Sequence, residues 1–374
     1  MKTVSGKSKT VAIIQDRIPQ YRVPFFTRLS LVGSEDNVDY KVYTSDLDPF
    51  EQKNVFLQAS LKNMRLRFPR NLYFHYQLDE IAKSDIVIIE QALHNPILLA
   101  RFILDSKFKR KTLFWGHGGY WTKKSSALQN KILWFFVRRV SHFLVYTYGG
   151  AIRLIENGLL LDRITVLQNS IDSTAILGQI EVTGASDHSE WMKSNGLGSS
   201  NLGCFIGEFK KEKKLQFLFD AVRAIKLEVP DFQFVYFGYG EGLDSFKDLC
   251  KEHSWMIFGG VANEFEKAQL SLAGAIILNP GRVGLIAVES IAMSCPMVTC
   301  RLIDQHAPEI EYLSEPSTIL MTEFDVKAYA NAVVQLLNNP ESKKAMSQSL
   351  KKLQPLYTVE VMANNFHSAV MGRF

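Results

Sequence analysis

The segment NPGRVGLIAVESIAMSCPMVTC, residues 279–300, carries a single acid, Glu289, inside an apolar helical stretch that follows a glycine-containing turn. An unpaired carboxylate there is costly. Helical side chains lean toward the helix N-terminus, so Glu289 can reach back to whatever occupies the turn. Its two oxygens could accept hydrogen bonds from a vicinal diol such as a ribose. A buried glutamate paired with a basic residue fits the same letters. Gly281 and Gly284 would let the backbone approach a ligand closely. The open N–H groups of the helix start, with its positive dipole end, suit a diphosphate.

Three further places could do chemistry. Lys213 in KKEKK (210–214) precedes an amphipathic stretch near 214–228 and could neutralise charge developing on a leaving group. A solvated charge run reads the same way. His117 in LFWGHGGYW (113–121) stands between glycines at the end of an apolar run, where a histidine is available to a ligand. Asp16 and Arg22 in IIQDRIPQYRVPFF follow the first apolar run and could meet a second substrate, or each other in a salt bridge. By contrast, GYGEGL (238–243) puts leucine where the third glycine of a dinucleotide fingerprint belongs, a weak signal. Cys204, Cys250, Cys295 and Cys300 form no CxxC pair, so neither a zinc site nor a disulfide framework is expected, and no clustered ligand residues call for a metal.

The elements that would position these residues alternate along the chain. Strand-like runs occur at 10–15, 38–44, 85–90, 111–116, 141–146 and 163–169, then at 201–207, 232–238, 255–260, 273–280 and 296–300. Amphipathic stretches lie between most of them, and from about 324 onward the pattern is helical. Apolar strands alternating with helices predict parallel sheets covered on both faces. The chain has 374 residues, which suits two domains. The expected division is 1–172, a Gly/Ser/Asn-rich linker or excursion at 173–200, then 201–354, with 355–374 packing back on the first domain. The fold class read from this is α/β, two Rossmann-like domains with ligands at the carboxyl ends of the strands, in a cleft between the domains.

Charge is divided unevenly. Residues 1–172 hold 25 Lys+Arg and 15 Asp+Glu, a net +10, whereas 173–374 hold 18 and 23, a net −5. The basic half interleaves aromatics with its charges, in KFKRKTLFW (107–115) and NKILWFFVRRVSHF (130–143). Such a surface fits anionic headgroups or a phosphate-bearing partner. A core segment with solvated charges fits as well. No recognition signature for nucleic acid is present. No apolar run is long enough to span a membrane, and MKTVSGKSKT followed by VAIIQ does not read as a signal peptide. A cytoplasmic protein, peripheral on the inner face of the cell membrane, is expected.

Taken together these segments resemble a retaining glycosyltransferase of family 4, with the GT-B fold, of the kind found in bacterial polysaccharide and lipopolysaccharide biosynthesis. That family's donor motif is EGFGLxxxE followed by G-x-P-V. Here Gly281 stands at the first glutamate, Gly284 and Leu285 match, Glu289 is the second glutamate, and Cys295-Pro296-Met297-Val298 is the looser counterpart of G-x-P-V. FIGEFKKEKKLQFLFDAV (205–222) resembles FVGRLxxEKGxDxLLxA, with Lys213 on the diphosphate-contacting lysine and Glu208 where the family has arginine. Lys210, Lys211 or Arg282 could compensate. FGGVANEFEKAQL (258–270) resembles the base-reading segment, around Gly259 and Val261, and His117 falls where the family places a histidine near the donor sugar. In the first half, IIQDRIPQYRVPFFTRLS (13–30) is similar to the opening of family members, and YTYGGAIRLIENGLLLDRITVLQNSID (146–172) to the segment that closes their first domain.

The resemblance implies a metal-independent transferase without a cofactor. Its substrates would be a nucleotide sugar, UDP favoured, and a glycan or lipid-linked acceptor. Glu289, the 284–285 backbone, Arg282, Lys211 and Lys213 would serve the donor, and Asp16 and Arg22 the acceptor. Two other classes stay open: a nucleotide-sugar epimerase of the same fold, and a catalytically silent binding subunit, which Gly281 and Glu208 motivate.

Overall fold

In a computed structural model, residues 8–46, 57–60, 63–66, 72–75, 78–91, 96–119 and 127–374 are described, some of them, Asp16 among them, by backbone alone. Two compact units divide the chain, one formed by 1–171 with 359–374, the other by 172–358.

The first unit contains β1 (Lys9–Arg17), β2 (Val38–Asp46), β3 (Leu57–Ser60), β4 (Asn63–Leu66), β5 (Leu72–His75), β6 (Ile86–Glu90), β7 (Thr112–Gly116), β8 (His142–Val145) and β9 (Ile164–Val166). Seven of them make one parallel sheet in the order β3-β2-β1-β6-β7-β8-β9, while β4 and β5 form a separate antiparallel pair. Its strands are buried runs such as IVIIE and TLFWG, as a sheet covered on both faces requires. One face packs on Phe25, Phe26 and Leu29 of the helix Val23–Glu35 and on Val359, Met362, Phe366 and Val370 of the last helix, Val359–Met371. That last helix is held by a buried hydrogen-bond chain. His367 Nδ1 pairs with the Tyr40 hydroxyl and His367 Nε2 with Asp36, both at 2.8 Å. The opposite face carries the helices Pro96–Leu104, Ala127–Val137 and Tyr148–Glu156.

The second unit contains β10 (Leu202–Ile206), β11 (Gln233–Phe237), β12 (Met256–Phe258), β13 (Ile276–Leu278), β14 (Met297–Cys300) and β15 (Ile319–Thr322), paired in the order β12-β11-β10-β13-β14-β15. That is the doubly-wound order, in which strand order reverses between β10 and β13. All eleven apolar runs of the sequence are strands here.

Residues 173–200, expected as a linker, instead contain two helices, Ser173–Val182 and Ala185–Ser194. The first is capped by Asp172 and packs on the helices Glu264–Leu272 and Ile286–Met293. The Gly/Ser content that suggested irregular backbone is spread through these helices and their caps, with Gly184 at the N-cap of the second.

The glycines of GYGEGL serve loop packing. A Cβ on Gly238 would lie 1.9 Å from the Gly207 carbonyl oxygen, so the close approach of the loops after β10 and β11 requires glycine there.

Among the described residues no helix is long and apolar enough to cross a membrane.

Candidate functional site

The reversal between β10 and β13 brings together the two loops that the sequence singled out. Lys213 closes a 3-10 turn, Lys211–Lys213, after β10, and Asn279 to Leu285 follow β13. In this second loop the backbone groups of Arg282 and Val283 are all accounted for. Arg282 N–H donates to the Glu212 carbonyl at 2.9 Å. The Arg282 carbonyl accepts from Lys213 Nζ at 2.8 Å and Asn279 Nδ2 at 3.2 Å. Val283 N–H donates to His306 Nδ1 at 3.1 Å, and its carbonyl accepts from Ala307 N–H at 2.7 Å.

Beyond Val283 the pattern changes. The N–H groups of Gly284, Leu285 and Ile286 have no acceptor among the described residues. The N-cap of the helix Ile286–Met293 is Leu285, which cannot cap, whereas the helix Glu264–Leu272 has a complete capping box from Asn263 and Glu266. A helix start left uncapped beside cations is an anion site in waiting.

The cations are Lys213 and Arg282. Neither has an acid within ion-pair distance among the described residues. Burial draws the Lys213 amine down to about 8, with Arg282 acting in the same direction and Glu289 opposing. Lys211 is exposed and also has no ion pair among the described residues. Lys210 is taken, since it pairs with Glu208 at 2.7 Å. Of the three candidates to replace the family's arginine at 208, Lys211 and Arg282 are therefore the ones left uncommitted.

Glu289 is one helical turn into Ile286–Met293, and its Oε1 pairs with Lys267 Nζ at 2.9 Å. The pair is largely buried, at 17% and 13% side-chain exposure. Burial alone would lower Lys267, but the charge and hydrogen bond of Glu289 outweigh it and hold the amine above its ordinary range. The ion-paired alternative that the sequence allowed is thus present. One carboxylate oxygen carries the pair; the second has no partner among the described residues.

Gly281 corrects an expectation. Its missing side chain does not open the backbone to a ligand. A Cβ there would sit 2.2 Å from the Glu212 carbonyl oxygen and 2.5 Å from the Lys213 backbone. Glycine is needed so that the Lys211–Lys213 turn can lie directly against the loop. At Gly284 the nearest atom to such a Cβ is Ala307 Cβ at 3.5 Å, ordinary contact. The base-reading candidates follow β12. Gly259 N–H bonds the Tyr236 carbonyl at 3.0 Å, and Val261 is exposed.

In the first unit His117 follows β7 and is exposed, its ring edge-on to Tyr146 at 4.6 Å. Gln91 Oε1 accepts from Gly118 N–H at 2.8 Å and Gly119 N–H at 3.3 Å, which fixes the loop. Asp16 lies on β1, its side chain outside the described ones. Arg22 is not available to an acceptor. It is 3% exposed, donates to Asn169 Oδ1 at 2.9 Å and Met362 Sδ at 3.3 Å, and is ringed by Tyr21, Phe25, Trp115 and Tyr146 at 5.3–5.8 Å. It ties the last helix to the first sheet through cation–π and hydrogen-bond contacts.

Residues 200–339 match the family model described as glycosyl transferases group 1. That span contains Lys213, Lys267, Arg282, Glu289 and His306, and leaves His117 outside it. No curated protein matches the chain. Among solved structures, a glycosyltransferase from Rickettsia africae ESF-5 superposes with a TM-score of 0.73 at 12% identity, over 98% of this chain and 99% of that one. HepE from Anabaena, in complex with UDP, gives 0.67 at 12% identity, over 97% and 100%. A protein of Listeria monocytogenes assigned as a UDP-N-acetylglucosamine 2-epimerase gives 0.66 at 17%, over 99% and 97%. The fold is GT-B. At these identities the likeness is one of fold, and one fold hosts several reactions.

Sequence reasoning missed Asn279, Lys267 and His306. Asn279 and His306 brace the loop after β13, and Lys267 neutralises Glu289. Asn279 lies inside the quoted motif and a polar side chain directly after an apolar strand was its signal. His306 and Lys267 sit in polar surroundings with no pattern to mark them.

Proposed function

We propose that the protein is a glycosyltransferase that takes a sugar from a nucleoside-diphosphate donor, UDP favoured, and passes it to a hydroxyl of a glycan or lipid-linked acceptor with retention of configuration. One observation carries this reading. Three open N–H groups and the unpaired cations Lys213 and Arg282 converge at the strand-order reversal of the second unit. This is a charge and hydrogen-bond complement to a diphosphate. Loss of the diphosphate from the anomeric carbon builds negative charge on its oxygens, which fixed donors stabilise without reorganisation. With cations of the chain in that role, the proposal needs no metal, and activity in EDTA should equal activity with magnesium.

Glu289 is assigned the ribose through its second oxygen, with Lys267 orienting the carboxylate. His117, held by Gln91, is assigned to the transferred sugar. Binding is tested by calorimetry with UDP and GDP, and turnover by a nucleotide-sugar panel with and without acceptor. Turnover with product retaining its anomeric configuration supports the reading. Isomerisation of the sugar without acceptor identifies an epimerase. Tight binding without any turnover identifies a silent subunit, the alternative that Gly281 favours because glycine offers the sugar no side chain.

Glu289 allows its two roles to be separated. Glu289→Gln leaves Lys267 without its counter-charge and should lower stability by about 3 kcal/mol. Adding Lys267→Met should recover most of that stability in thermal unfolding, while UDP affinity stays low. Recovery of both would remove Glu289 from the nucleotide.

The basic half of the chain is assigned to an anionic membrane surface. Residues 101–163 hold 12 Lys+Arg against 3 Asp+Glu. Leu128, Ile132 and Phe135 form an exposed stripe on the helix Ala127–Val137, and Tyr148, Ile152 and Ile155 another on Tyr148–Glu156. Both helices cover the same sheet face. Trp134 and Phe136, by contrast, pack in the core, and Arg139 lies 3.8 Å over the Phe135 ring. Vesicles with anionic lipid should bind the protein and release it in high salt, and the pair Ile132→Ser, Phe135→Ser should abolish binding. Equal binding by that variant would sink the assignment.

A further inference from the structure

His306 lies outside every segment the function has used so far, yet it is built into the donor loop. The ring is buried, at 3% exposure, in the stretch between β14 and the turn Pro308–Tyr312. Nδ1 accepts from Val283 N–H at 3.1 Å, and Nε2 lies 3.0 Å from the Cys300 carbonyl at the end of β14. A carbonyl only accepts, so Nε2 carries the proton; an N–H only donates, so Nδ1 does not. The two contacts fix one neutral tautomer between them. The next residue, Ala307, takes the Val283 carbonyl, so both backbone groups of Val283 end on 306–307.

We infer that His306 is a positioning residue for the nucleotide diphosphate. Clamped as its Nε2–H tautomer, it anchors Val283 to the end of β14 and so sets the direction of the three open N–H groups that begin at the next residue. This rests on the nucleotide-binding reading above. The geometry is reciprocal with the other side of the loop, where Glu212 and Lys213 hold Arg282. One residue is thus gripped from the loop after β10 and its neighbour from the stretch after β14, and the helix start that follows them cannot shift without breaking one of these hydrogen bonds. Burial lowers the ring below its ordinary range; the Cys300 carbonyl opposes, and the charges of Lys213 and Arg282 add to the lowering. The neutral form that the clamp needs is therefore the favoured one.

The test compares full-length wild type, His306→Phe and His306→Gln. Phenylalanine keeps the bulk and removes both bonds; one glutamine amide can accept and donate. His306→Phe should weaken UDP by about tenfold, the equivalent of one buried hydrogen bond and its geometry, with uridine affinity within twofold of wild type. His306→Gln should recover most of the UDP affinity. Nitrogen-15 NMR of wild-type protein should show His306 as the Nε2–H tautomer. UDP binding by His306→Phe equal to wild type overturns the inference. So does equal weakening of uridine and UDP, which marks general damage, and so does an Nδ1–H tautomer in wild type, a result that needs no variant to fold. Wild type that shows the Nε2–H tautomer but binds no nucleoside diphosphate overturns the nucleotide reading itself, leaving the clamp with no diphosphate to position.

Discussion

Gly281→Glu, which places the first acid of the donor motif that this segment resembles, should lower kcat/KM on the order of 100-fold instead of raising it. That is the loss expected when a preorganised charge-stabilising donor is displaced. The Cβ alone collides with the Glu212 carbonyl oxygen at 2.2 Å and the Lys213 backbone at 2.5 Å. These are backbone atoms and cannot rotate away. The Lys211–Lys213 turn must retreat, and with it the amine that bonds the Arg282 carbonyl. Overpacking of this kind costs about 1–3 kcal/mol of stability. Gly281→Ala is the discriminating control, because it adds the clash without the carboxylate. Both variants should fail alike in UDP calorimetry and in donor turnover. A Gly281→Glu protein that turns over faster than wild type, with Gly281→Ala inactive, would show that the acid belongs there and that the packing argument is wrong.

Lys213→Met should reduce kcat by roughly 10²–10³-fold, the loss found when one fixed donor to a developing charge is removed. Methionine fills similar space, so the loop keeps much of its packing while the charge and the bond to the Arg282 carbonyl go. The pH dependence gives an independent check. With the amine drawn down to about 8, its positive charge fades as pH rises through 8, and affinity for UDP should fall across that range in wild type. In Lys213→Met this fall should be absent. The stability effect has the opposite sign. Between about 8 and the ordinary lysine value of 10.5 the unfolded chain binds the extra proton, so folding gains from this group as pH rises. Diphosphate binding restores the charged amine, so UDP should take up protons near pH 8–9. Calorimetry in buffers of different ionisation enthalpy measures that uptake. Proton release, or none, would place Lys213 away from the phosphates.

The two sheets were legible because parallel core strands are buried on both faces and read as apolar runs. Gly203–Ile206 and Leu113–Gly116 are examples, all fully buried. The last strand, β15, gave no such signal. Ile319–Thr322 at the edge of the second sheet is partly exposed and mixed in character, the helix Ser173–Val182 carries weak periodicity, and the helix Ala185–Ser194 is polar in composition. Lys213, Gly284 and Glu289 could be named from letters because turn glycines, a basic run and an acid in an apolar helix are local patterns; Arg282 was named only through the family resemblance. Their partners could not. Lys267 meets Glu289 only because the helix Glu264–Leu272 packs beside Ile286–Met293. Arg22, a candidate for the second substrate by its place after the first strand, is covered by Met362 of the last helix, 340 positions later.

Hydrophobic rhythm, a property of neighbours along the chain, was enough to dictate two parallel α/β units and to mark the turn after β13 as chemically unusual. Which groups in that turn stay open is decided in three dimensions. Val283 and Arg282 lose their hydrogen-bonding capacity to His306, Ala307, Glu212, Lys213 and Asn279, whereas the next three N–H groups find no acceptor among the described residues. Burial and saturation of polar groups depend on contacts between loops far apart in sequence, and spacing along the chain carries no record of them.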